Sequence, residues 1–343
     1  MIQLEDDALL FRFPDVHPKA TTSINFQRTL RIPDDGRNYP LPPGLGRFFL
    51  RHVDDFADSV PSSWITHGGV MFPMYQAEAM WLSFDSPTGY PFAVRIAAGK
   101  ICAVSGDHWS DGLQDTDLNN QQNYVVVPGQ RWLDGFAVEK NVVRQFVAMP
   151  LGEGYSAEEQ LTGAAEHGGL QLQVFPMKRD EYVQRFEVER TEKESTILFQ
   201  TAPGAELFGP SSGLGKMGLA PGGQMTQSVN RSQYPLDVWD TEHTSRCFVH
   251  ILNSEDWQAV TGSPPPQQPL SAKTYTDAGY PWYELYDETH APLPGGKRLS
   301  LLQSVSQLFE TKTGTSLPEN ESITPQNVKE LRDGLDRNQV REW

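Results

Sequence analysis

The strongest constraint on what this chain can fold into is an alternation at period two. Leu170, Leu172 and Val174 alternate with Gln171 and Gln173, which puts apolar side chains on one face of an extended strand and amides on the other. The alternation closes residues 142–178. That stretch opens on an apolar run, Val142, Val143, Phe146, Val147 and Met149, and then passes through Pro150, Gly152 and Gly154. Between the two runs lies Ser156-Ala-Glu-Glu159, the pattern of a capping box, which starts at most a short helix before Gly163. The stretch reads as strand, structured loop, strand.

Similar punctuation recurs along the chain. Phe26, Leu30 and Ile32 alternate with polar residues and stop at Pro33-Asp-Asp-Gly36, where proline presets φ and glycine accepts a positive one. Residues 39–46 are rich in proline and glycine and read as extended. Residues 71–84 are ambiguous, with helix formers at 77–80 and strand formers at 81–84. Phe92, Val94 and Ile96 make one strand face, and Gly99-Lys100 suits a two-residue hairpin turn into Ile101. Strand character returns at 124–127, 138–149, 170–177, 182–189, 196–200 and 247–252, the last followed by a short capped helix at 254–257. The charged run 178–194 reads as a solvated strand face or edge, and 263–269 as a stiff connector. Residues 209–223 hold six glycines with Pro210 and Pro221 and read as a long loop. Two helices follow: one with the stripe Leu301, Leu302, Val305, Leu308 and Phe309, and one opening at Thr324 with Pro325 and carrying Val328, Leu331 and Leu335.

Composition points the same way. The 343 residues include 29 glycines and 26 prolines at 38% hydrophobic content, a mixture that favours many short strands over a helical bundle. The expected fold is mainly β, a sandwich or jelly-roll-like body of short strands with peripheral helices. The body covers 1–296, with a division into two sub-domains near 178–194 as an option, and 297–343 form a helical C-terminal segment. A net charge of −16 repels a nucleic-acid backbone or an anionic membrane at long range. No window reaches the ~18 apolar residues of a spanning helix, and the acidic start does not resemble a signal peptide. The expectation is therefore a soluble, intracellular (cytoplasmic) protein with reduced thiols, a disulfide through Cys102 and Cys247 remaining open.

Several stretches resemble a family of uncharacterised proteins found in bacteria and lower fungi: residues 28–36, 39–46, 72–76, 144–154, 160–169 and 245–253. The resemblance runs from about residue 24 to the end. Members are often labelled "hypothetical" or "integral membrane protein", and the hydropathy of this chain opposes the second label. The distribution of the family is similar to that of the vacuolar crystal protein used in gravity sensing by such fungi, though no motif here carries that link. The resemblance brings no catalytic residue.

Five groups of residues bear on chemistry. Gly209-Pro-Ser-Ser-Gly213 matches the G-x-S-x-G elbow, with Ser211 as nucleophile, Asp237 or Asp240 as acid, His243 or His250 as base, and His67-Gly-Gly69 upstream. The helix that should follow the elbow is blocked by Pro221 and Gly222-Gly223. The G-x-G-x-x-G match from Gly213 to Gly218 fails for the same reason. Asp115, Asp117 and Asn119 have calcium-loop spacing, but Asn120 and Val126 replace the required glycine and glutamate. An EF-hand is excluded, and a looser calcium site with Asp107 or Asp111 stays open. The eight histidines show no metal-ligand spacing. Of eight tryptophans, Trp81, Trp109 and Trp132 are the candidates for ligand stacking beside amide and acid side chains, and core or subunit contact is the competing role.

Three functions follow from this reading. The first is a non-enzymatic structural or self-assembling protein, a homo-oligomer. The second is a β-sandwich that binds a carbohydrate or small ligand, with calcium as an optional aid. The third is a serine hydrolase using Ser211.

Overall fold

A computed structural model of the chain describes residues 1–115, 122–187, 215–285 and 290–331. The expected strand at 196–200, Ser211, Asp117, Asn119 and Trp343 lie outside the described residues.

The protein is mainly β, as composition and alternation predict. Ten strands form one sheet, whose main path runs Ile2–Glu5, Ala8–Arg12, Thr21–Thr29, Ala79–Asp85, Val142–Pro150, Met217–Thr226, Asn38–Tyr39. Trp132–Leu133, Gly135–Glu139 and Gly44–Arg47 pair from the side of that path. Seven strands form the second sheet, with Phe92–Ala98, Leu170–Pro176, Ser245–Asn253 and Val70–Met74 at its centre. One apolar core draws on both sheets. Phe26 of the first stacks on Phe72 of the second with ring centroids 5.2 Å apart, and Phe48 lies 4.7 Å from the same ring. Each such buried ring contributes on the order of 2–3 kcal/mol. The outer faces are covered too. Val305 and Leu308 of the helix Val305–Thr313 pack on Val147 and Met149, while Trp64 and Trp257 pack on Met71 and Leu252.

The defining alternation forms the strand Leu170–Pro176, paired on both sides, with Leu172 opposite both Ile96 and Cys247. Its amide face is buried rather than solvated. Gln171 Nε2 donates to the Gly99 carbonyl at 2.7 Å, and Arg95 donates to Gln173 Oε1 at 3.2 Å. Both amides are thus satisfied inside the protein, as buried polar groups must be. The hairpin at Gly99 (φ 56°) and the capping box of the helix Ala157–Thr162, closed by Gly163 in the left-handed region, form as expected.

Three expectations are corrected. Residues 217–223, expected in a loop, belong to the strand Met217–Thr226, buried against Val142–Pro150. The register shifts between Arg144 and Phe146, so Gly222 and Gly223 form a bulge. A Cβ there would lie 2.5 Å from Val147 Cγ2 and 2.4 Å from the Pro33 carbonyl oxygen, respectively. The glycines mark close packing, not exposure. Residues 182–187, expected in a strand, end the helix Arg179–Tyr182 and continue as a π-helical turn, Val183–Glu187. The second C-terminal helix is replaced over Val328–Leu331 by a strand parallel to Trp282–Leu285. Residues 71–84, ambiguous in sequence, are resolved as the strands Val70–Met74 and Ala79–Asp85, with Ala77 at φ 63° in the turn.

Cys102 and Cys247 are buried free thiols. Two strands separate theirs in the sheet, a spacing of about 14 Å, twice the reach of a disulfide. An intrachain disulfide is excluded. Among the described residues no helix is long and apolar enough to cross a membrane.

Candidate functional site: an aromatic cleft over a buried acid

Trp81 and Trp132, far apart in sequence, meet on the ten-stranded sheet. Trp132 pairs with Ser83, two residues from Trp81, so the two indoles leave the same face as diagonal neighbours. Their rings lie 6.5 Å apart at 66° and make a corner. Leu41, Pro42 and Pro43 form another wall, held to Tyr283 by reciprocal backbone hydrogen bonds of 2.7 and 2.9 Å between Leu41 and Tyr283. The extended proline-rich run therefore shapes the cleft, and Gly44 lets it approach: a Cβ there would be 3.1 Å from Trp81 Cζ2. The cleft is open to the surface and its volume is about 270 Å³.

Asp134 also lines this cleft and is only 2% exposed. Gln227 holds it from both sides. Its Nε2 donates to Asp134 Oδ2 at 2.5 Å, and its Oε1 accepts from the Asp134 amide at 3.0 Å. Among the described residues no basic side chain pairs with this carboxyl, and burial pushes it up to about 7. Gly135 sets the position: a Cβ there would fall 1.9 Å from the Arg144 carbonyl oxygen, so only glycine lets this backbone lie against Val142–Pro150. An adjoining depression of about 140 Å³ shares Leu41 and Trp132 and adds Gln130, Gln227, Arg131 and His290. Gln130 Nε2 donates to the Trp132 carbonyl at 2.9 Å, fixing the backbone that carries the indole.

The other sequence candidates lie elsewhere. Trp109 sits under two guanidinium groups, Arg95 at 4.2 Å and Arg246 at 5.3 Å from its ring centroid, and caps the amide face of Leu170–Pro176. Asp115 lies 3.6 Å from Arg231, so a cation already faces it. Among the described residues no three metal-type ligands converge. His243 pairs with Asp240, not Asp237, with Nδ1 2.9 Å from Asp240 Oδ2. The hydrogen bond that His243 donates to the Asp240 carboxylate raises the histidine above its usual value. Asp240 Oδ1 also accepts from the Glu242 and His243 amides, each at 2.9 Å, which makes this pair a turn on the surface. Asp237 lies in the separate turn Leu236–Val238.

A second cluster escaped the sequence because its members are dispersed. His67, His167 and His250 converge beside Trp64, Ser63 and Phe248 around a void of about 10 Å³. His250 stacks on Trp64 with centroids 4.6 Å apart and donates from Nε2 to the Gly68 carbonyl at 3.0 Å. Burial pushes it down to about 4. His67 donates from Nδ1 to the Ser63 carbonyl at 2.6 Å, and Lys216 Nζ donates to Ser63 Oγ at 3.0 Å. Asp134 was equally hard to foresee, because Asp134-Gly135 reads as an exposed turn.

Comparison with known protein families, with curated proteins and with solved structures finds no match to this chain.

Proposed function

We propose that this chain binds a small organic ligand in the cleft between Trp81 and Trp132, the carbohydrate- or small-ligand-binding reading of the sequence. The observation that carries it is the corner of two half-exposed indoles over a buried acid and its amide partner, facing an open volume of about 270 Å³. Indoles serving only the core would be enclosed, as Trp64, Trp239, Trp257 and Trp282 are. Ligand sites combine apolar walls with a few placed polar groups, and stacking on an aromatic face suits flat or alkyl-bearing ligands. Among the described residues the cleft offers one carboxylate, Asp134, and the calcium option of the sequence belongs to the separate acidic stretch that begins at Asp107.

Tryptophan emission, titrated with a panel of sugars and small metabolites, tests the proposal. A ligand that quenches the wild type and loses at least tenfold in affinity against Trp132→Ala supports it, the loss expected for an anchor worth about 2 kcal/mol. Unchanged affinity in both Trp132→Ala and Trp81→Ala would move the site elsewhere.

Self-association is the second reading. It draws on Phe49 and Tyr280, 50% and 55% exposed, since large exposed aromatics are common interface anchors. Sedimentation over a wide concentration range decides it: a mass that stays monomeric at every concentration removes the structural role.

A further inference from the structure

We propose that the ligand of the cleft is an alkylated organic cation, a quaternary or methylated ammonium, seated in the Trp81–Trp132 corner with its charge against Asp134. This rests on the reading of the cleft as a ligand site and names the ligand's class.

The first support is the state of Asp134. A buried carboxylate is costly unless it is paired and hydrogen-bonded. Here Gln227 supplies one neutral donor to Oδ2, and Oδ1 has no hydrogen-bond partner among the described residues. Among the described residues Asp134 is the single charged one lining the cleft, and Tyr283 is the only other titratable one. Beyond Trp132 the adjoining depression carries Arg131 and His290, and on the neighbouring strand Arg144 faces Asp34 at 3.5 Å instead. Among the described residues no counter-charge meets the need that burial creates, and a cation would supply it.

The second support is the shape and character of the walls. Indole faces carry negative quadrupole density and attract cations, quaternary ammonium groups above all. Leu41, Pro42 and Pro43 complete an apolar enclosure that offers contact to alkyl groups but little to hydroxyls. A sugar would need several donors and acceptors directed at its edge. The net charge of −16 further steers cations toward the protein.

Protonation follows from the same geometry. Because burial holds Asp134 up at about 7, the free site is largely the neutral acid at pH 5.5. A bound cation favours the carboxylate, so Asp134 releases its proton to solvent as the cation enters. Affinity therefore rises with pH through about 7 and levels off above it.

The test is calorimetric titration of the full chain with choline, with its uncharged isostere 3,3-dimethyl-1-butanol, and with neutral monosaccharides, at pH 5.5 and 8.5. Choline has no group that titrates in this range, so a pH effect belongs to the protein. The expected result is binding of choline that strengthens by about thirtyfold between the two pH values, the ratio set by ionisation of one acid near 7. The isostere should bind more weakly and without pH dependence. Asp134→Asn should lose about tenfold or more of choline affinity at pH 8.5 and abolish the pH dependence, and Trp132→Ala should lose choline and isostere together. If the isostere or a sugar matches choline at pH 8.5 and its binding needs Trp132, the cation assignment falls while the cleft remains a ligand site. If no probe binds at either pH, both fall. Should Asp134→Asn not fold, the wild-type contrast between choline and its isostere decides alone.

Discussion

The aromatic cleft and the histidine corner both set indole rings beside buried titratable groups, yet they treat those groups in opposite ways. In the corner, His250 is neutral, stacked on Trp64 and hydrogen-bonded to Gly68. Glu158 nearby accepts from the Gly168 amide at 2.9 Å. Of the fully buried polar side-chain atoms of the corner, among the described residues, only His167 Nε2 lacks a hydrogen bond, although the Glu166 carboxylate is 3.4 Å away. The void of about 10 Å³ holds no more than a water. In the cleft the acid has no counter-charge among the described residues, and the indoles face a space large enough for a small molecule. Clustered histidines alone do not make a site. A buried acid that lines an open volume is the better sign, because at a pH where it ionises a ligand can remove its cost.

The two regions share one requirement, and it carries the largest expected effect. Gly135→Ala would drive a Cβ to 1.9 Å from the Arg144 carbonyl oxygen, and Gly69→Ala to 2.1 Å from the Phe248 carbonyl oxygen at a φ of +92°. Each should destabilise the fold by more than about 3 kcal/mol, read as lost soluble expression or a lowered urea midpoint. Near-wild-type midpoints would show that these backbones yield, and that neither region is held as rigidly as its geometry implies.

Asp134→Asn separates the regions. The folded-state acid lies at about 7 against 3.8 in an ordinary environment. The fold therefore binds a proton that the unfolded chain releases. That contribution is complete below about pH 3.8 and is lost as pH rises to about 7. The asparagine variant should be more stable than the wild type at pH 8 by up to about 4 kcal/mol and about equal at pH 3.5. Urea titrations at the two pH values check this, and equal differences at both would mean that the cleft acid is not strained by burial.

His250 has the opposite sign. Its folded value of about 4 lies below the usual 6.5, so its contribution is present above pH 6.5 and is lost as pH falls through 4, amounting to about 3 kcal/mol at most. His250→Gln, whose amide can still donate to Gly68, should flatten stability between pH 6.5 and 4. In the wild type the two slopes oppose each other over this window. A flat wild-type profile that tilts in opposite directions in the two variants would be the sharpest form of the contrast.

The smallest effect belongs to Ser156→Ala, which removes the cap accepting from the Glu159 amide at 3.2 Å. It should cost about 1 kcal/mol by thermal melting and leave ligand titrations of the cleft unchanged. A change in cleft affinity would mean that the short helix Ala157–Thr162 communicates with the ten-stranded sheet.

Much of the fold was legible where local rules govern. Gly99 in the hairpin and Ser156 with Glu159 at the helix start depend on residues within a few positions of one another. The same local rules misread Gly222 and Gly223, because a bulge against Val147 and an exposed turn ask for the same residue. They misread the segment at Thr324 as well, where pairing of Val328–Leu331 with Trp282–Leu285 overrides helical periodicity. Of the site, Trp81 and Trp132 stood out as indoles suited to stacking, with no sign that they would meet. Trp109 looked the same and went to Arg95 and Arg246 instead.

By itself the sequence determined that this chain would be built of short strands, with dry and polar faces at period two and turns at its glycines, since these follow from backbone stereochemistry and side-chain polarity. Only the tertiary structure decided that Gln171 and Gln173 are buried, that the two indoles form a corner and that Asp134 is buried in the wall beside it. Those outcomes depend on which distant strands pair, in what register and under what cover, and burial, the quantity that sets the energy of a charge, is a property of the assembled fold.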